Sequence, residues 1–196
     1  MKRMSTPAPR ARTMELRRRG GLQGLAQAGL ALLMLLLMLA GAMVPARAVQ
    51  VGETLPQRWL DSAQGPQPLV AGQARLTYVD FWASWCGPCR QSFPWMNEMH
   101  AKFGASGLRI VGVNVDAKRA DAELFLQRTP ATFAIAFDRE GAMAKAMDVK
   151  TMPTSMLLDP QGRVLLVHQG FTPKDREQLE AAIAAALRGA AVAVRP

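Results

Sequence analysis

Apolar residues in this chain come first as one long run and then as short bursts. Leu30 to Val44 is almost wholly aliphatic, whereas Leu76 to Trp82 and Leu108 to Val115 are brief, dense in aliphatic and aromatic residues, and stopped by polar or turn residues. Such bursts predict strands buried on both faces. Between them, Pro88 to Phe103 sets Phe93, Met96, Met99 and Phe103 at helical spacing, with Gly104 expected to end the helix. Ala120 to Arg128 predicts a helix with Leu124 and Phe125 inward, Phe133 to Phe137 a strand, and Ala142 to Met147 a short helix. Thr154 to Leu158 and Val164 to His168 flank Asp159-Pro160-Gln161-Gly162, a turn signal that pairs them as an antiparallel hairpin. A last helix is expected to open at Thr172, capped by its hydroxyl, with Pro173 in the first position and Leu179, Ile183 and Leu187 facing the core. Prolines and glycines break Val49 to Ala74, which predicts only a short edge strand or hairpin packed by Trp59 and Leu60. Strands alternating with helices, then a hairpin and a closing helix, predict an α/β fold with a central mixed β-sheet flanked by helices on both faces. A functional site in such a sheet lies beyond the carboxyl ends of its central strands.

The long apolar run belongs to a leader. It follows Lys2, Arg3, Arg10, Arg12 and Arg17 to Arg19 and precedes Pro45-Ala46-Arg47-Ala48, the order of a secretory signal with cleavage after Ala48. The uncharged stretch 20–45 is also long enough to stay in a bilayer as an anchor, with its basic flank on the cytoplasmic side. The domains are therefore expected to be 1–48, signal peptide or N-terminal membrane anchor, and 49–196, one folded domain. Both readings place the folded part outside the cytoplasm, in the periplasm. They also explain the formal charge of +9, because residues 1–48 hold eight Lys or Arg and one acid, leaving sixteen bases and fourteen acids beyond them. With no basic cluster larger than Lys118-Arg119 there, no nucleic-acid partner is expected.

Candidate chemistry is concentrated in Trp85-Cys86-Gly87-Pro88-Cys89, which holds both cysteines of the chain. Two thiols separated by two residues can close into a small disulfide and reopen, and the Gly-Pro spacer sets the first at a helix start, where exposed N–H groups favour a thiolate. A zinc site would need two more ligands, and only His100 and His168 are present, far apart in sequence and without finger spacing. No metal site is expected, and no cofactor beyond a redox-active Cys86–Cys89 disulfide.

Asp80-Phe81-Trp82-Ala83-Ser84-Trp85-Cys86-Gly87-Pro88-Cys89 resembles the active-site strand and turn of thioredoxin. Pro94, Val113-Asn114-Val115-Asp116 and Met152-Pro153-Thr154 fit the same pattern downstream. The leader, the added length between Asp116 and Pro153, and the phrase from Met152 to Arg163 resemble the TlpA-like extracytoplasmic branch of the thioredoxin superfamily. That branch comprises periplasmic or membrane-tethered thiol-disulfide oxidoreductases, several of which serve cytochrome c maturation or copper-site assembly. The resemblance implies a thioredoxin-like fold and a set of roles. Cys86 would attack a substrate disulfide, Cys89 would resolve the mixed disulfide, and a buried Asp80 with a raised pKa would take the proton from Cys89 through a water. Trp85, Gly87, Pro88, Met152 and Pro153 would contact substrate, with Pro153 cis and the Met152 backbone free to pair with an incoming peptide. In one respect the chain departs from thioredoxin: the lysine that partners the buried aspartate there aligns with Gly112 here.

The Gly-Pro spacer, shared with thioredoxin, implies a reductant, which outside the cytoplasm needs electrons from a membrane reductase of the DsbD or CcdA type. Partners would then be that donor and disulfide-containing client proteins. A copper(I) metallochaperone using the two thiolates, or a disulfide oxidant or isomerase on the same scaffold, is the alternative. A peroxidase is disfavoured, because the Pro-x-x-x-Thr-x-x-Cys pattern is missing before Cys86.

Overall fold

The chain divides into two units, Met1–Pro45 and Ala46–Pro196. The computed structural model describes Met34 and residues 48–56, 58–70 and 73–189. The expected leader therefore lies outside the described residues, Met34 and Ala48 excepted. Among the described residues no helix is long and apolar enough to cross a membrane.

The second unit is built on a seven-stranded sheet. Its strands are β1 (Trp59–Ser62), β2 (Gln67–Pro68), β3 (Leu76–Trp82), β4 (Leu108–Asn114), β5 (Ala134–Phe137), β6 (Thr154–Leu158) and β7 (Val164–Gln169), in the order β2-β1-β5-β4-β3-β6-β7. The helices are α1 (Gly87–Phe103), α2 (Arg119–Arg128), α3 (Ala142–Ala146) and α4 (Asp175–Leu187). β3, β4 and β5 run parallel, joined by crossovers through α1 and α2, while β1, β6 and β7 add antiparallel pairings. The sheet is mixed, as its alternation of elements predicted.

β3 is buried at every position, so its alternation separates two cores rather than core from solvent. Tyr78 and Trp82 join Phe93, Trp95 and Met96 of α1, Phe125 of α2 and Leu179 and Ile183 of α4 on one face. Val79 and Phe81 join Val111, Val113, Met156 and Met143 of α3 on the other. On the first face Phe93 touches the rings of Trp82, Phe125 and Phe133, with centroids 4.8, 5.0 and 5.3 Å away. Truncating such a ring to alanine costs about 3–5 kcal/mol, so this stack fixes α1, and with it the cysteine pair, onto the sheet.

Three expectations are corrected. Leu124 is 53% exposed, because α2 buries Ala122 and Phe125 and turns Leu124 to solvent. Trp59 is 66% exposed, since β1 alternates and gives its inward place to Leu60. Gly104 does end α1, as expected, standing as its C-cap; the chain then passes through a 3₁₀ turn, Gly104–Ser106, and reverses at Gly107, whose φ is 102°. Thr172 does not cap α4 as an acceptor. Its amide and hydroxyl both donate to the Asp175 carboxylate, at 2.6 and 2.9 Å, and the helix starts at Asp175.

Candidate active site

β3 delivers the chain to the cysteines through a braced turn. Asp116, buried just past β4, accepts from the Ser84 amide (2.9 Å) and hydroxyl (3.2 Å) and from the Asn114 side chain (2.8 Å). The Val115 amide donates to the Trp82 carbonyl and the Cys86 amide to the Ala83 carbonyl. The segment before Cys86 is thus held from two sides, through partners that sequence alone did not single out.

Cys86 occupies the N-cap of α1 with extended backbone (φ −82°, ψ 112°), and its Sγ accepts the Cys89 amide at 3.2 Å. The sulfur stands where a serine or aspartate oxygen would cap the helix, and no acidic residue in the first turn opposes a charge there. A thiolate formed at this place meets the positive end of the helix. The two cysteines are disulfide-bonded in this structure. Cys86 keeps a trace of exposure, 3%, and Cys89 none. Trp85 stands out at 70% exposed, whereas Trp82 is wholly buried and belongs to the aromatic stack.

Asp80 lies on the same face of β3 as Tyr78 and Trp82, the face covered by α1. It is almost fully buried. Oδ1 accepts the Ser155 hydroxyl at 2.6 Å, while Oδ2 has no hydrogen-bond partner among the described residues. Burial raises its pKa from 3.8 to about 7, with the Ser155 bond pulling in the opposite direction. Burial, followed by the Asp80 charge, pushes the Tyr78 phenol well above its ordinary range. The strand register explains these neighbours: Asp80 is opposite Gly112 on β4 and Ser155 on β6, and Ser155 is opposite His168 on β7. A Cβ on Gly112 would lie 3.1 Å from both Trp82 Nε1 and Phe133 and 3.2 Å from Ile135, so a side chain in the place beside Asp80 would need these neighbours to give way by a few tenths of an ångström. His168 Nε2 sits 3.7 Å from Asp175 Oδ2, beyond hydrogen-bond reach.

The Met152–Pro153 peptide bond is cis, and Pro153 is buried at the start of β6. Among the described residues neither the amide nor the carbonyl of Met152 has a backbone partner, while the Pro153 carbonyl is taken by the Gly170 amide. The fold therefore brings Cys86, Cys89, Asp80, Trp85, Gly87 and Pro88 onto one strand-turn-helix unit, with Met152 and Pro153 on the neighbouring strand's approach. Ser155 and Asp116 were missed from the sequence. The pairing of β6 with β3 sets Ser155 opposite Asp80, a register between distant strands that no local pattern in the sequence carries.

A parallel-centred sheet flanked by helices, with a Cys-Gly-Pro-Cys disulfide capping the helix after a central strand, defines a thioredoxin-like thiol-disulfide oxidoreductase. Comparison with known proteins gives the family: residues 50–183 match the Redoxin model, and the chain belongs to the Redoxin family. It is 33% identical over 129 residues to the thiol-disulfide oxidoreductase ResA of Geobacillus thermodenitrificans (strain NG80-2), a match covering 65% of this chain and 74% of the relative. ResA of Bacillus subtilis (strain 168) is 27% identical over 124 residues, 63% and 69% of the two chains. Among solved structures, a putative thiol:disulfide interchange protein DsbE from Chlorobium tepidum is 50% identical, with a TM-score of 0.69, covering 71% of this chain and 99% of that one.

Proposed function

We propose that the protein reduces disulfides in client proteins outside the cytoplasm, through a dithiol-disulfide cycle of Cys86 and Cys89. The observation that carries this reading is the Cys86 sulfur capping α1 at 3.2 Å from the Cys89 amide, on the sheet face that buries Asp80. In the reduced protein the Cys86 thiolate attacks a client disulfide and forms a mixed disulfide, releasing one client thiolate, which takes a proton from water. Asp80 then accepts the Cys89 proton through a water. The Cys89 thiolate attacks Cys86 Sγ, the Cys86–Cys89 bond forms, and the second client sulfur leaves. Two electrons pass to the client, whose disulfide becomes two thiols. A carboxyl poised near 7 holds or yields that proton at neutral pH.

Trp85, Gly87 and Pro88 form the landing surface, and the unpaired Met152 backbone beside Pro153 takes the client as a short added strand. No resident cofactor is required. The leader supports a periplasmic location, free or tethered through residues 20–45, and a membrane reductase of the DsbD or CcdA type would return the electrons. The names of the relatives, thiol-disulfide oxidoreductase and thiol:disulfide interchange protein, agree with the chemistry. Clients in cytochrome c maturation or copper-site assembly follow from the TlpA-like resemblance.

The test is to express Cys89→Ser in the native host and identify proteins trapped on Cys86. Mixed disulfides with extracytoplasmic clients are expected, and none forming would overturn attack by Cys86. The purified domain should also show a reduction potential well below about −180 mV, and a higher value would make it an oxidant or isomerase instead.

A further inference from the structure

A cleft of about 280 Å³ opens beside the redox turn, between Ser84, Arg90 of α1 and one face of α2. The α2 wall is a helical stripe, Asp121, Leu124, Phe125 and Arg128, at spacings of three, four and seven residues. Phe125 is the buried floor, and Leu124, turned out of the core, is 53% exposed on the rim. Arg90 leans back over the turn: its Nη2 lies 3.8 Å from where a Cβ on Gly87 would be. Both Arg90 and Arg128 are exposed. Among the described residues neither makes an ion pair, whereas Lys102, Arg119 and Arg176 are each matched to a glutamate. Among the described residues the one acid lining the cleft is Asp121, in the first turn of α2, seven residues and so about 10 Å along the helix from Arg128.

Topology places this cleft on a definite side. α2 joins β4 to β5, so the cleft flanks β3 on its β4 side, while the Met152–Pro153 loop precedes β6 on the other. An extended segment crossing Cys86 has apolar and cationic contacts on the first side and free backbone on the second.

We propose that this cleft is the client-selecting surface of the protein, and that it takes a polypeptide segment with an apolar residue and carboxylates next to its cysteine. Leu124 and Phe125 receive the apolar side chain, and Arg90 and Arg128 receive the carboxylates. This deepens the reading as a reductase of protein disulfides and rests on it for the identity of the partner as a client.

The test separates docking from redox chemistry. Two short peptides are compared, Gly-Glu-Leu-Ser-Glu-Ala-Gly and the same sequence with lysine for glutamate, each titrated into ¹⁵N-labelled oxidised protein. Serine replaces the cysteine, so binding is read without any exchange reaction. With two exposed charge pairs gained, the acidic peptide is expected to bind about fivefold or more tightly than the basic one at low salt. Amide shifts should centre on Leu124 and Arg128. The preference should disappear in Arg90→Gln/Arg128→Gln and at 0.5 M salt, and widen in Asp121→Asn. Equal affinity for both peptides, a preference that survives the double substitution, or shifts that avoid α2 would each overturn the proposal. The cysteine forms of the peptides, as mixed disulfides with 2-mercaptoethanol, are then offered to the reduced protein. If the acidic peptide docks in the cleft but its disulfide is not reduced, the reductase reading falls and the acidic-segment site stands.

Discussion

Replacing Asp80 with asparagine should make the oxidised protein more resistant to alkaline conditions, by an amount the structure sets. A carboxyl raised from 3.8 to about 7 on folding stays protonated in the folded state while the unfolded chain has already released its proton. The contribution is therefore fully favourable below pH about 4, is lost progressively as pH rises toward 7, and is flat above that. Three units of difference correspond to about 4 kcal/mol. Asp80→Asn removes this dependence. It also introduces an amide with donors where Oδ2 has no partner, which costs about 1–3 kcal/mol at every pH. The informative quantity is thus the difference between variant and wild type as a function of pH, in which all other titrating groups cancel. Guanidinium unfolding at intervals from pH 4.5 to 8.5 should show the variant gaining on the wild type by about 3 kcal/mol, nearly all of it below pH 7. A difference that stays constant within about 1 kcal/mol across that range would refute the reasoning, and with it the idea that Asp80 is a proton store.

Ser155→Ala removes the hydrogen bond that holds the Asp80 carboxylate down, so the Asp80 titration, followed by ¹³C NMR of the carboxyl carbon, should move further up; no movement would show that Oδ1 finds another donor. Gly112→Ala forces a methyl against Trp82, Phe133 and Ile135 at 3.1–3.2 Å and should destabilise by about 1–3 kcal/mol in thermal unfolding, a loss that a stable variant would contradict. Asp116→Ala frees the Ser84 amide, whose hydrogen exchange should quicken selectively while the amides of β4 keep their protection; equal protection in both proteins would mean the brace is dispensable. Trp85→Ala should leave unfolding free energy within about 0.5 kcal/mol, since the ring is 70% exposed, while slowing reduction of a protein disulfide more than that of a small one.

Strands were the most legible part of the chain. Leu76–Trp82 was read to the residue because a run buried on both sides needs no face assignment, and the Asp159–Gly162 turn fixed its hairpin through local chemistry alone. What failed was orientation within marginal elements. In α2 the neighbours Leu124 and Phe125 are both apolar, and whether both turn inward depends on which side α1 occupies, a tertiary fact. In β1 the neighbours Trp59 and Leu60 are both apolar, and only pairing to β5 decides which turns inward. Thr172 and Asp175 are both competent cap residues, and the backbone put the threonine's donors, not its oxygen, to use. The cysteine pair and Asp80 were legible from a contiguous motif. Ser155 and Asp116 were not, because their roles come from register and from a loop packing across 75 and 32 residues of sequence.

The register that sets Asp80 opposite Gly112 also decides what its carboxyl can meet on β4. A lysine beside the carboxyl would favour its charged form and lower its pKa by about 1–3 units, emptying it of its proton at neutral pH. Here that place is crowded by aromatic packing: the Trp82 indole, itself held 4.8 Å from both Phe93 and Phe125, would stand 3.1 Å from a Cβ at position 112. Among the described residues Trp82 Nε1 has no hydrogen-bond partner, so the arrangement carries a cost. The same packing that seats α1 on the sheet thus crowds the place a cation would take, and among the described residues Ser155 supplies the hydrogen bond opposing the rise imposed by burial. The poise of Asp80 near neutrality is in this sense a product of the core, and it should respond to substitutions at Trp82 or Gly112 as strongly as to those at the cysteines' own turn.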